Sequence, residues 1–254
     1  MKIGAIALNT WRETLRDRLL VAVLLCLAGM IGLVFAAEAN VRDAGAGILD
    51  LCFTLGGGLG TLVAVFLGTS LVHKELDRRT IYIVLSKPIT RFQFLAGKYL
   101  GLMATLGAVV AIISAGIGIV MLLVGRFDVH VFALCLALWV QLALLTAIAF
   151  CFSTITNAAL SALYTVGLYI VGQNVLLIRE FADSEVRLSK LNYYVGHGLY
   201  YLLPHFEPFD YKNILLYGHQ LPWQAWGWGL AYGLVISLGY LLVATVAWEG
   251  RELP

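Results

Sequence analysis

The sequence predicts an all-α membrane protein with six transmembrane helices in a single domain, residues 1–254. Three observations carry that prediction. Hydrophobic residues make up 61% of the chain and charged residues 13%, whereas soluble domains run at about 45–50% apolar and about 25% charged. The mean hydropathy is +0.88. The charges also fall in clusters, separated by uncharged stretches of 19 to 50 residues. Such a composition excludes a soluble globular domain, a disordered tail and a secreted disulfide scaffold. A formal net charge of +2 gives no reason to expect a nucleic-acid partner.

Residues 3–17 come first. On a helical wheel Ile3, Ile6, Ala7, Thr10, Trp11, Thr14 and Leu15 share one side and Asn9, Arg12 and Arg16 lie opposite, the pattern of an amphipathic helix on the membrane surface. The charge gaps then place the spans, because a Lys, Arg or Asp at the bilayer centre costs roughly 2.5–3.5 kcal/mol. Residues 19–37, 51–73 and 99–125 each fit one helix. The gap from Asp128 to Arg179 fits two, about 129–152 and 158–178, with the turn at the polar cluster Ser153 to Asn157. Pro222 and the interfacial tryptophans Trp223, Trp226 and Trp228 open the last span, about 224–248. Residues 1–39 also have the outline of a signal peptide ending at Ala37-Glu38-Ala39, but the apolar run Leu19 to Ala37 is longer than such a core. Lysine and arginine bias puts both termini in the cytoplasm, with eleven basic residues on that side against six on the other.

The segment 74–98, on the cytoplasmic side, is the most informative. Lys74-Glu75-Leu76-Asp77-Arg78-Arg79-Thr80 precedes the apolar run Ile81 to Leu85, and Pro88 disfavours helix at Lys87. Thr90 and Gln93 form a capping-box pattern that starts the next helix. Residue type alone leaves two readings open, a protein-docking surface and a basic loop on anionic headgroups. On the other side, Leu191 to Phe206 is uncharged but too short to span, which suits a re-entrant or interfacial helix before the last span.

The chemistry of the chain is notable for what it lacks. It has no Gly-x-x-x-x-Gly-Lys-Ser/Thr nucleotide loop. No carboxylate falls within an expected span, as an ion-coupled carrier would need, and no nucleophile–base pair is visible. Cys26, Cys52, Cys135 and Cys151 sit in apolar runs without metal or disulfide spacing, and His197, His205 and His219 match no ligand motif. No catalytic, cofactor or metal residue is therefore expected, and energy is expected from another subunit. Gly56 with Gly60, and Gly229 with Gly233, have the Gly-x-x-x-Gly spacing of close helix packing. Ser161, Thr165, Tyr169 and Gln173 recur every four residues and form one polar stripe, with Gln141 in the preceding helix. Hydrogen bonding between helices is the commoner use of such a stripe. The functional reading makes it the wall of a substrate path.

Lys74 to Thr80, followed by Leu85-Ser86-Lys87-Pro88-Ile89-Thr90-Arg91 and Phe94 to Leu100, resembles the first cytoplasmic loop of type-2 ABC transporter permeases. Asn9 to Arg18 resembles the interface helix of that family, and Tyr200 to Asn213 the outer loop of the subgroup containing the nitrous-oxide-reductase maturation permease. The resemblance implies a membrane subunit of an exporter in a bacterial or archaeal plasma membrane. It implies pairing with a second permease copy or homologue and with two cytoplasmic ATPase subunits that hold ATP and Mg²⁺, all in contact with membrane lipid. It also implies a coupling helix that seats on the ATPase, here Glu75, Asp77, Arg78, Arg79, Ile81, Tyr82 and Leu85, with Glu75 foremost. The alternatives are a secondary carrier and a membrane scaffold subunit without transport.

Overall fold

The computed structural model describes residues 2–15, 29, 32, 45–77, 90–123, 128–184, 190–212, 214 and 220–249. Among them the elements are α1 (Lys2–Leu15), α2 (Gly45–Asp77), α3 (Arg91–Leu123), α4 (His130–Ile155), α5 (Ala158–Gln173), α6 (Val175–Ser184), α7 (Lys190–Leu202), one 3-10 turn (Glu207–Phe209) and α8 (Trp223–Glu249). Four of these helices are long and apolar enough to cross a membrane, over Asp50–Leu71, Phe92–Ile119, His130–Ile155 and Trp223–Trp248. Helices α5 and α6 pass the same test as a bent pair. Of the expected first span, 19–37, only residues 29 and 32 are described, and the rest lies outside the described residues.

Local chemistry sets the helix ends. At the start of α3 the capping box closes both ways: Gln93 N–H donates to Thr90 Oγ1 at 3.2 Å and Thr90 N–H to Gln93 Oε1 at 3.4 Å. The turn between α4 and α5 falls at Thr156 and Asn157, at the end of the polar cluster. The Asn157 side chain there accepts from Leu160 N–H at 2.9 Å. The stretch 158–178, expected as one span, breaks at Asn174 into α5 and α6, with a bend of 53°. An inserted backbone group gives the physical reason: Phe206 N–H donates to the Gly172 carbonyl at 3.1 Å and takes up an acceptor at the end of α5.

Helix α4 is the centre of the bundle, with residues 140–151 all buried. Lipid tails are as apolar as leucine, so packing and interhelical hydrogen bonds hold such helices together rather than the hydrophobic effect. Tyr99 OH donates to the Ala143 carbonyl at 3.1 Å, Trp139 Nε1 to Met103 at 3.0 Å, and Trp226 Nε1 to Ala133 at 3.1 Å. The Gly-x-x-x-Gly positions lie in these contacts. A side chain at Gly56 would meet Ile113 and one at Gly60 would meet Leu142, each at 3.0 Å. One at Gly229 would meet the Pro208 carbonyl at 2.8 Å, and one at Gly233 would meet Val140 at 2.6 Å.

Part of the apolar face of α1 packs on α3, while Trp11 stays exposed. Gly97 and Gly101 open a hollow in α3 that takes Ile6, Ala7 and Thr10. The buried hydroxyls of Thr14 and Thr105 meet at 2.6 Å, and Lys98 Nζ reaches Glu13 at 3.6 Å. Helices α6 and α7 form an antiparallel pair, with Gly196 directly against Ala182 and His197 Nε2 3.6 Å from Asp183.

Candidate functional site

The polar stripe of α5 divides into two halves. Ser161 and Thr165 have no exposed surface. Ser161 Oγ pairs with Thr156 Oγ1 at 2.8 Å and Thr165 Oγ1 donates to the Ser161 carbonyl at 2.7 Å, so both are satisfied within their own helix and its cap. One and two turns further on, Tyr169 meets Gln141 of α4 and Gln173 joins them through the Tyr169 hydroxyl. Gln141 Nε2 donates to Tyr169 OH at 3.1 Å and Gln173 Nε2 donates to the same oxygen at 3.0 Å.

These three residues line a cavity of about 340 Å³. Phe53, Gly57 and Gly58 of α2, Ile113 and Ile117 of α3, and Leu134, Cys135 and Leu138 of α4 supply the apolar wall. Phe209, Asp210, Tyr211 and Lys212 close the remaining side. That loop is seated at several points. Pro204 and Phe206 press on Gly172, where a Cβ would lie 2.5 Å from the Pro204 carbonyl, and Phe209 presses on Gly233. Phe206 is fully buried and its ring sits edge-on to Tyr169 at 5.1 Å. His205 N–H donates to Tyr232 OH at 2.9 Å. Lys212 Nζ reaches Asp50 at 3.2 Å and Thr54 Oγ1 at 3.3 Å.

The cavity is thus polar at both ends and apolar between. Its inner end holds two amides and a phenol with no charge. Its outer end holds Lys212 with Asp210 in the wall and Asp50 beside it. Asp50, Thr54, Asp210 and Lys212 escaped the sequence reading. The traces they leave there are that Asp50 and Lys212 flank charge-free stretches and that Asp210 and Lys212 fall in the outer loop Tyr200 to Asn213. Gln141 is 6% exposed, and a polar side chain so enclosed needs the partner it has in Tyr169.

Of the expected ATPase-contact residues, Glu75 and Asp77 fall in the last turn of α2. Arg78, Arg79, Ile81, Tyr82 and Leu85 lie outside the described residues. Cys52, Cys135 and Cys151 are free and buried.

Two comparisons bear on this arrangement. A family model described as ABC-2 family transporter protein matches residues 5–186, more than two thirds of the chain. That match takes in α1 to α6, and ends before the loop that closes the cavity. A comparison with curated proteins finds no match.

Proposed function

Because the chain belongs to the ABC-2 family of transporter proteins, we propose that this permease subunit works as the six-span membrane half of an ATP-driven exporter. Two copies, or one copy and a homologue, pair with two separate cytoplasmic ATPase subunits that bind ATP and Mg²⁺. Residues 19–37 supply the first span, and both termini face the cytoplasm of a bacterial or archaeal cell. The observation that carries the reading is the polar wall of Gln141, Tyr169 and Gln173 on a cavity inside a bundle otherwise made of apolar helices. Unpaired amides and hydroxyls are too costly in hydrocarbon to persist without a partner there.

Coupling runs through the end of α2 and the segment that follows. Glu75, Asp77, Arg78, Arg79, Ile81, Tyr82 and Leu85 form the seat for the ATPase, and ATP-driven closure of the ATPase pair displaces that seat and reshapes the path.

Co-purification of the tagged chain in mild detergent tests this reading. A P-loop ATPase should come with it, and Glu75→Ala, or charge reversal at Arg78 and Arg79, should weaken the association about tenfold while leaving insertion intact. Normal ATPase binding and turnover in those variants would move the segment to lipid contact. A chain that transports with no ATPase present would be a secondary carrier. Orientation is read separately, with an impermeant thiol reagent on Val195→Cys, a position 52% exposed on α7. Labelling in intact cells is expected, and labelling only after lysis would invert the topology.

A further inference from the structure

We infer that the cavity between α2, α3, α4, α5 and the 204–212 loop is a ligand site within one subunit, and that it takes a neutral amphipathic molecule with an uncharged hydrogen-bonding head group. Calling that ligand a transport substrate rests on the permease reading above; its binding does not.

The hydrogen-bond arithmetic of the inner end comes first. A phenol oxygen has two lone pairs, and the Gln141 and Gln173 amides use both. The Tyr169 proton and the two glutamine carbonyls then have no partner among the described residues. Exchanging the amide orientations moves the vacancy without filling it, since the three side chains carry more donors and acceptors than the two bonds consume. The two glutamine carbonyls are not sealed in the bundle, so water or a ligand in the cavity can reach them. Here they line an open volume of about 340 Å³, which lies in the range of small-molecule pockets. One hydroxyl, or one amide that keeps an N–H, seated there could accept from Tyr169 and donate to a glutamine carbonyl.

Charge then selects the ligand. Among the described residues no Asp, Glu, Lys, Arg or His lines the inner end, so a charged group placed there would lose its hydration and gain no counter-ion from them. At the mouth Lys212 stands with two carboxylates, Asp50 and Asp210. That balance, one cation against two carboxylates, repels an anion, and a cation drawn to the mouth would still find no counter-ion beside the two amides and the phenol. Between the two ends Phe53, Ile113, Ile117 and Leu138 offer only apolar surface, suited to a short alkyl or ring body. The lid over this site, Phe209 to Lys212, lies beyond the stretch matched by the family model, which ends at residue 186.

Gly57 gives a clean way to close the pocket. It lies on the cavity wall, and a Cβ there would meet only Leu138, at 3.9 Å. Leucine is also a better helix former than glycine, so Gly57→Leu fills the space without straining the bundle.

The experiment uses the full chain in nanodiscs without nucleotide, and a photoactivatable monocaprin, a neutral ten-carbon monoacylglycerol. Adducts are mapped by peptide mass spectrometry. They are expected on residues 53–58, 113–117 and 134–141, with competition by unlabelled monocaprin but not by decyl phosphate or decyltrimethylammonium. Gly57→Leu should cut the adducts about tenfold with an unchanged or higher melting temperature. Tyr169→Phe should weaken binding by up to about tenfold, the scale of one lost hydrogen bond, while keeping the ring packed on Phe206. Adducts only on lipid-facing residues, or insensitive to Gly57→Leu, would leave the pocket to water. Equal or better competition by either charged probe would overturn the neutral assignment. These outcomes need no ATPase, so they stand apart from failure of the ATPase to co-purify.

Discussion

The Lys212 ammonium stands 3.2 Å from the Asp50 carboxylate, and so ties the loop after α7 to the first turns of α2, across most of the length of the chain. The pair is part-exposed, at 33% for Lys212 and 48% for Asp50. Its worth in stability is therefore small, about 0–1 kcal/mol and screened by salt. Its effect is local, because it fixes the edge of the lid over the cavity.

Lys212→Ala should leave the melting temperature within a few degrees of the parent. Hydrogen exchange at residues 204–212 should rise, and Asp50→Asn should do the same. Protection of that loop unchanged in both variants would show that Phe206 and Phe209 alone hold it.

Helix α5 offers a matched pair of glycine substitutions. A Cβ at Gly172 would lie 2.5 Å from the Pro204 carbonyl and 2.6 Å from the Phe206 ring, and a backbone carbonyl cannot rotate away. Gly172→Ala should cost about 1–3 kcal/mol through overpacking and should loosen the lid. Gly167 has nothing within 4 Å, and Gly167→Ala should be neutral or stabilising by up to about 1 kcal/mol. Thermal unfolding in detergent compares the two, and equal effects would refute the seating of the loop on Gly172.

The docking of α1 on α3 depends on Gly101, where a Cβ would meet the Ala7 carbonyl and Thr10 Cβ, each at 2.6 Å. Gly101→Leu should detach α1 and expose residues 2–15 to protease while α3 stays folded. In a double-mutant cycle, Thr14→Val and Thr105→Val should show a coupling of about 0.5–1.5 kcal/mol from the 2.6 Å hydroxyl pair. Additive effects would mean that each hydroxyl is served by its own helix carbonyl alone.

His205 sets a pH dependence. Burial holds its pKa below the ordinary 6.5, against an upward pull from Glu207 and a backbone hydrogen bond. Its Nε2 is enclosed without a partner among the described residues, so a proton there would find no acceptor. The unfolded chain then binds more protons than the folded one between the two pKa values, and stability rises with pH. The full contribution is present above 6.5 and is lost progressively as pH falls toward the lower folded-state value. Relative to His205→Gln, the parent should lose stability between about pH 7.5 and about pH 5.5. The His197–Asp183 pair, 3.6 Å apart, is present in both proteins and cancels in the difference. A parent and variant whose unfolding curves stay parallel over that range would remove His205 as the titrating group.

What the sequence determined by itself is local and periodic. The charge gaps locate α2, α3, α4 and α8, because the cost of burying a charge acts on each segment independently of the fold. The Thr90–Gln93 cap and the Asn157 turn were legible because their partners lie three residues away. The four-residue recurrence from Ser161 to Gln173 was legible as a stripe, but its use was not. Tertiary structure decided that Ser161 and Thr165 are satisfied within their own helix end while Tyr169, itself bonded by Gln173, turns to Gln141. It also decided that α5 stops at Gln173, since the group that takes the Gly172 carbonyl comes from Phe206, beyond two intervening helices. The cavity wall joins residues from 53 to 212, and the clasp joins Asp50 to Lys212. Such pairs leave no periodic trace, because their energy depends on the distance between helices once packed, not on the spacing of residues along the chain.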